Sequence, residues 1–204
     1  MANQDPTHLK NIKDLLNQCP NGRDAVQCID NRAIPVLFDP VAPGAQFDPV
    51  NKEIVINRAQ SVNLAALNLV HEANHAEWKM SGLSPDVHTA PDQGIYVHQR
   101  IDEEAVGTVK AIKAQMELEA QGVKFAAADQ YPLYDEYKEA RDQAIDGLVK
   151  ANPKATALEQ ESAGEKAGLD AVRDGFTTGV VGPSTSPAHG APIANPYIDR
   201  KSVV

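Results

Sequence analysis

The chain has 204 residues, 42% of them hydrophobic, which is enough for one core and short for two. Its 19 Lys+Arg against 28 Asp+Glu leave a net charge of −9 with no basic run, an arrangement that argues against nucleic acid and anionic membranes as partners. The opening MANQDPTHLKNIKDLL lacks the basic-then-apolar order of a signal peptide, and no apolar run approaches the roughly 20 residues that span a bilayer, so a soluble domain exported by some other route, if at all, is expected.

Residues 8–17 place Leu9, Ile12, Leu15 and Leu16 at helical spacing. A second short helix is predicted over 22–29, after a Pro-Asn-Gly turn. The segments AIPVLFD (33–39) and KEIVIN (52–57) are β-branched and apolar, and FDPVNK between them reads as a hairpin turn, giving a small sheet. Ser61 is a good N-cap for a helix running to about Lys79, where Ser-Gly-Leu-Ser-Pro stops it. Residues 81–95 hold Gly82, Pro85, Pro91 and Gly94 and read as a loop. Helical patterns return from Tyr96 to about Ala120, over 133–150 and, more weakly, over 156–174. The end, from TTGVVGPSTS onward, is a tail rich in Pro, Gly, Ser and Thr. Cys19 and Cys28 are too few for a disulfide scaffold and too far apart for a CxxC site; free thiols are expected, a single bridge being the alternative.

The third helix carries the chemistry. Its HEANH puts His71 and His75 four apart, one above the other on one helical face, so both imidazoles can aim at one point. Zinc takes neutral imidazole nitrogens and, in catalytic sites, commonly uses three protein ligands and leaves a fourth position for water. Glu72, rotated by about 100°, flanks that position and is placed to take a proton from the water. The competing reading makes the histidines ordinary core residues: Leu64, Leu67, His71, His75 and Trp78 form one stripe, with Trp78 in the core. Two buried rings on such a stripe would then each need a separate hydrogen-bond partner, whereas one metal serves both.

A third ligand is expected from RIDEEAVGTVKA (100–111), whose small residues allow close helix approach. Glu103 and Glu104 differ by about 100°, so only one can face the histidines; Asp102 is a weaker candidate. A further donor is needed for the transition state. Tyr96, His98 and Arg100 precede the acidic cluster, and Tyr96 ranks first. Each has an ordinary alternative: His98 and His88 as surface histidines, Arg100 as a partner of Asp102 or Glu103, Tyr96 as a packed aromatic. The DEYKEARDQ run (135–143) reads as a solvated helix face, and His189 in the tail is a remote candidate for a fourth ligand or an autoinhibitory contact.

HEANH followed 29 residues after His75 by Glu104-Ala-Val-Gly-Thr resembles the gluzincin pattern, HExxH plus a downstream glutamate with a small residue at +3. The resemblance maps the third zinc ligand onto Glu104, with Gly107 at +3. Thr108 stands at +4, where many gluzincins carry an Asp that orients a histidine ligand. NGRDAVQCID, AIPVLFDP, FDPVNKEIVIN, LVHEANHAEW and IDEEAVGT together resemble the metallopeptidase domains of bacterial polymorphic toxins and secretion-system effectors. The elements in chain order predict an α+β fold, a mainly helical domain over 1–152 with a small N-terminal β-sheet, then a helical extension and Pro/Gly-rich C-terminal tail over 153–204; the resemblance, which extends over roughly residues 15 to 120, implies that the domain is a zincin-like metallopeptidase. It implies zinc as cofactor (His71, His75, Glu104), Glu72 as base, and a protein or peptide substrate. A cognate immunity or delivery protein as partner and delivery by a bacterial secretion system follow from the toxin likeness. The alternatives are a non-enzymatic module stabilised by zinc and a cytoplasmic regulatory peptidase that cleaves repressors.

Overall fold

Strand β1 (Val36–Asp39), β2 (Ala45–Asp48) and β3 (Glu53–Asn57) form a sheet of order β1-β3-β2 in the computed structural model, which describes residues 2–86 and 88–179. The expected hairpin joins β2 and β3, antiparallel with Phe47 opposite Ile54, while β1 lies parallel to β3 on its other side. Asp48 builds the turn by accepting from the N–H groups of Val50 and Asn51 over 2.7 and 3.1 Å, and Lys52 takes a left-handed φ of 56°. Val36, Phe38, Ile54 and Ile56 alternate with less buried neighbours and point one way into the core. Burial of each of these side chains stabilises the fold by about 1.5–3 kcal/mol. The outer edge of β1 is covered by Asn3, which exchanges two backbone hydrogen bonds with Phe38. Strand β2 lies at the other edge.

Helices α1 (Pro6–Leu16) and α2 (Pro20–Asn31) precede the sheet, and α3 (Val62–Met80), α4 (Gln93–Ala120), α5 (Tyr134–Ala151) and α6 (Ala157–Thr178) follow it. The architecture is therefore α+β and mainly helical, with a small N-terminal sheet. Ser61 caps α3 as expected, its hydroxyl accepting from the Leu64 N–H over 3.0 Å. Helix α3 is more than a stripe: every side chain from Ala65 to Ala76 is buried, because α1, α2, α4, β2 and β3 surround it. Trp78, expected in the core, is only half-buried, since it lies beyond that enclosed stretch near the helix end. Asp92 caps α4 through the Ile95 N–H and starts that helix at Gln93, inside the stretch read as a loop.

Helix α6 packs along α5 and α4 and adds Val172 and Phe176 to the core. It runs through Thr178, past the predicted end at 174 and into the Thr-Thr-Gly start of the predicted tail. The rest of that tail, with His189, lies outside the described residues. The 135–143 face carries the exposed pair Lys138–Asp142, interrupted by buried Tyr137, whose ring lies where a Cβ on Gly168 would come within 2.4 Å. Both cysteines are free, Cys19 buried and Cys28 partly so. Among the described residues no helix is long and apolar enough to cross a membrane.

Candidate metal centre

The i, i+4 spacing on α3 brings Nε2 of His71 to 2.9 Å from Nε2 of His75. Helix α4 crosses against them and adds Oε2 of Glu104, 3.3 Å from the first nitrogen and 3.5 Å from the second. Close approach at the crossing depends on Gly107, because a Cβ there would stand 3.1 Å from Nδ1 of His71. The three residues are buried and form a group able to hold a metal ion. Two imidazole nitrogens that face each other and one carboxylate oxygen suit a divalent cation better than they suit one another. Without a cation, one ring must carry a proton that the other accepts, and the remaining lone pairs must share it. In the metal-free protein, burial opposes charge on His75, but the Glu104 and Glu103 carboxylates hold its pKa well above the ordinary histidine value. Burial likewise opposes charge on Glu104, and the histidines hold its pKa well below the usual carboxylate range.

Glu103 does not point at the same spot. Its Oε1 meets Nδ1 of His75 at 2.9 Å and accepts from the Ser84 hydroxyl at 3.1 Å; its Oε2 accepts from Arg100 at 2.6 Å. Despite burial, which works the other way, these partners lower its pKa. A carboxylate behind the far ring nitrogen fixes the tautomer that presents Nε2 as a lone pair. Arg100 also reaches Oε1 of Glu104 at 3.4 Å, so one guanidinium bridges both glutamates. Thr108 is buried on the same helix, and Nδ1 of His71 has no hydrogen-bond partner among the described residues.

Glu72 is 1% exposed, and its Oε2 accepts the backbone N–H of Phe47, on edge strand β2, over 2.8 Å. Its Oε1 is buried with no partner among the described residues. Glu72, His75 and Glu104 line one cleft of about 230 Å³, walled by Phe47 and Pro49 on the sheet side and by Ser84, Pro85, Lys79 and Arg100 on the helical side.

Of the residues predicted for the site, His71, His75, Glu104 and Glu72 come together. Tyr96 does not line the cleft. It is half-buried on the first turns of α4, about 12 Å along the axis from Glu104, and Arg100 lies between them. His88 and His98 are exposed, and Asp102 pairs with Arg173 over 2.8 Å.

The tyrosine that does lie beside the centre is Tyr131. It is 2% exposed, and its ring centroid is 6.1 Å from that of His71. Burial first, then the charges of Glu72 and Glu104, push its phenol well above the ordinary value. No local pattern marks Tyr131, because it comes from an irregular connection and reaches the site through the Gln115 side chain, which accepts its backbone N–H at 2.9 Å. Phe47 was equally hidden, since it contributes a backbone group. No family model matches the chain, and no curated protein or solved structure is detectably similar to it.

Proposed function

We propose that this chain is a zinc-dependent metallopeptidase of gluzincin type, with a zincin-like fold. The reading is carried by one observation, the convergence of His71 Nε2, His75 Nε2 and Glu104 Oε2 beside Glu72 in an open cleft. Two neutral imidazoles and one carboxylate are a donor set that suits zinc in a catalytic site. When bound, zinc acidifies a water and polarises the scissile carbonyl. Glu72 accepts the water proton as the oxygen attacks the carbonyl carbon, and returns it to the amine nitrogen as the C–N bond breaks. The Phe47 N–H holds one carboxylate oxygen of Glu72 and leaves Oε1 for this proton. Glu103 and Arg100 hold His75 and Glu104 in place. A zinc site kept only for folding would be closed by a fourth protein ligand and would have no use for a base at an open cleft.

The test is hydrolysis of a mixed peptide library, read by mass spectrometry. Wild type cleaves; Glu72→Gln retains metal and fold but loses turnover by about 10²–10⁴-fold, because the amide cannot take the proton. Equal cleavage by both would remove Glu72 as the base. The effector role, with a cognate immunity or delivery protein, is supported by the likeness to toxin metallopeptidase domains. It is tested by producing wild type and Glu72→Ala at equal levels in the bacterial cytoplasm and periplasm. Growth arrest by wild type alone supports a delivered toxin, arrest by both a non-enzymatic module, and arrest by neither a regulatory peptidase.

A further inference from the structure

We propose that Lys79 is a specificity-determining residue of the cleft: its ammonium binds a carboxylate on the substrate, so the enzyme favours peptides with an acidic group within about two residues of the bond it cleaves. The inference rests on the metallopeptidase reading above and names the substrate class of that same site. Glu72, His75 and Lys79 stand three and four apart on α3, which puts them on one helical face, and all three line the same cleft. Lys79 is exposed, and no hydrogen bond or ion pair engages it among the described residues. Arg100, the other permanent cation of the lining, is committed to Glu103 over 2.6 Å and to Glu104 over 3.4 Å. Lys79 is therefore the lining cation that the centre does not itself use.

Four residues of helix advance about 6 Å, so Lys79 stands beyond His75, towards the end of α3, by about the length of two residues of extended peptide. The carboxylates of Glu72, Glu103 and Glu104 are offset by Arg100 and, in the loaded protein, by the divalent ion, which leaves the Lys79 charge in excess at this end of the cleft. An acidic side chain and a free C-terminal carboxylate offer it the same chemistry. Solvent screens an exposed ammonium, so the pair discriminates by only about three- to fivefold. The last-turn position of Lys79 also suits the dipole of α3, a contribution that bears on stability and not on the choice between peptides.

The test uses one cleaved sequence from the peptide library, made with Glu or Gln at each position within two residues of the scissile bond and with a free or an amidated C-terminus. The ratio of kcat/KM between paired peptides in one protein cancels any general loss of activity. Wild type should favour the acidic member about three- to fivefold at one position, chiefly through KM, and the preference should shrink at about 1 M salt. A preference for Glu over Gln in amidated peptides assigns a side-chain carboxylate, and one for free over amidated ends assigns the terminus. Lys79→Arg should keep the ratio, Lys79→Gln should bring it to about one, and Lys79→Glu should invert it and favour Lys over Gln at the same position, a reversal that misfolding cannot produce. In the Glu72→Gln background, fluorescence anisotropy of the labelled pair should give the same order of Kd, lost on adding Lys79→Gln. Equal ratios in wild type and Lys79→Gln, or an acidic preference that survives Lys79→Glu, would overturn the role. Wild type that takes up metal and cleaves acidic and neutral peptides alike ends this inference alone; wild type that takes up no metal ends the metallopeptidase reading as well.

Discussion

The backbone N–H of Phe47 donates to Oε2 of Glu72 over 2.8 Å, so the edge strand of the sheet fixes the carboxylate that the next helix supplies. This bond points outward from β2, away from its ladder with β3, and proline at 47 removes the donor without breaking the ladder. Phe47→Ala serves as control for the lost ring. Peptide turnover should fall at least about tenfold more in Phe47→Pro than in Phe47→Ala. Equal losses would assign the effect to the side chain and leave the N–H without a role.

Glu103 and Glu104 are neighbours that meet the histidines differently, Glu104 at Nε2 of both rings and Glu103 at Nδ1 of His75. Glu104→Ala should lose tightly held zinc, since two ligands remain. Glu103→Ala should retain it about 10–100-fold more weakly, because Nδ1 of His75 loses its acceptor. Glu103→Gln, which keeps an oxygen there, should lie between Glu103→Ala and wild type. Competition with a chromophoric chelator gives the order, and a reversed order would exchange the two assignments.

Gly107 makes the α3–α4 crossing close enough for a shared site. In Gly107→Ala the new methyl would meet Nδ1 and Cε1 of His71 at 3.1 and 3.2 Å, tighter than ordinary contact. The ring must shift, with a loss of about 1–3 kcal/mol in stability and weaker zinc binding. Thermal melts with and without zinc test this; wild-type behaviour in both would show that the helices have slack here.

Cys19 is fully buried, and burial pushes its thiol from 9.0 to about 11. A folded pKa above the unfolded one means that the unfolded chain gives up this proton first. The contribution is present in full below pH 9 and is lost as pH rises towards about 11. Stability measured by denaturant should therefore decline over that range less steeply in Cys19→Ala than in wild type. At pH 8, native protein should be alkylated at Cys28 before Cys19, as read by peptide mapping.

What the sequence could reveal here was local. HEANH carries its geometry in its spacing, Ser61 announces the start of α3, and Asp48 with Pro49 announces the hairpin. Start and stop signals were less dependable: Pro91 and Gly94 suggested a loop, yet Asp92 caps a helix between them. The placements of Glu103, Phe47 and Tyr131 depend on how α4, β2 and the connection before α5 meet α3, and no periodicity within one segment encodes such crossings. Spacing alone left Glu103 and Glu104 equal; the resemblance favoured Glu104, and in the folded chain Glu103 turns to the back of His75. Trp78 continued the apolar stripe on paper but sits beyond the part of α3 that the other elements enclose.

The central claim is that His71, His75 and Glu104 hold one zinc ion, and elemental analysis of the purified protein at neutral pH tests it most directly. The expected result is about one zinc per chain in wild type and a loss of nearly all of it in His71→Ala and His75→Ala, with both variants still helical by circular dichroism. Wild type that carries no transition metal after exposure to zinc, or His71→Ala that retains a full equivalent, would contradict it.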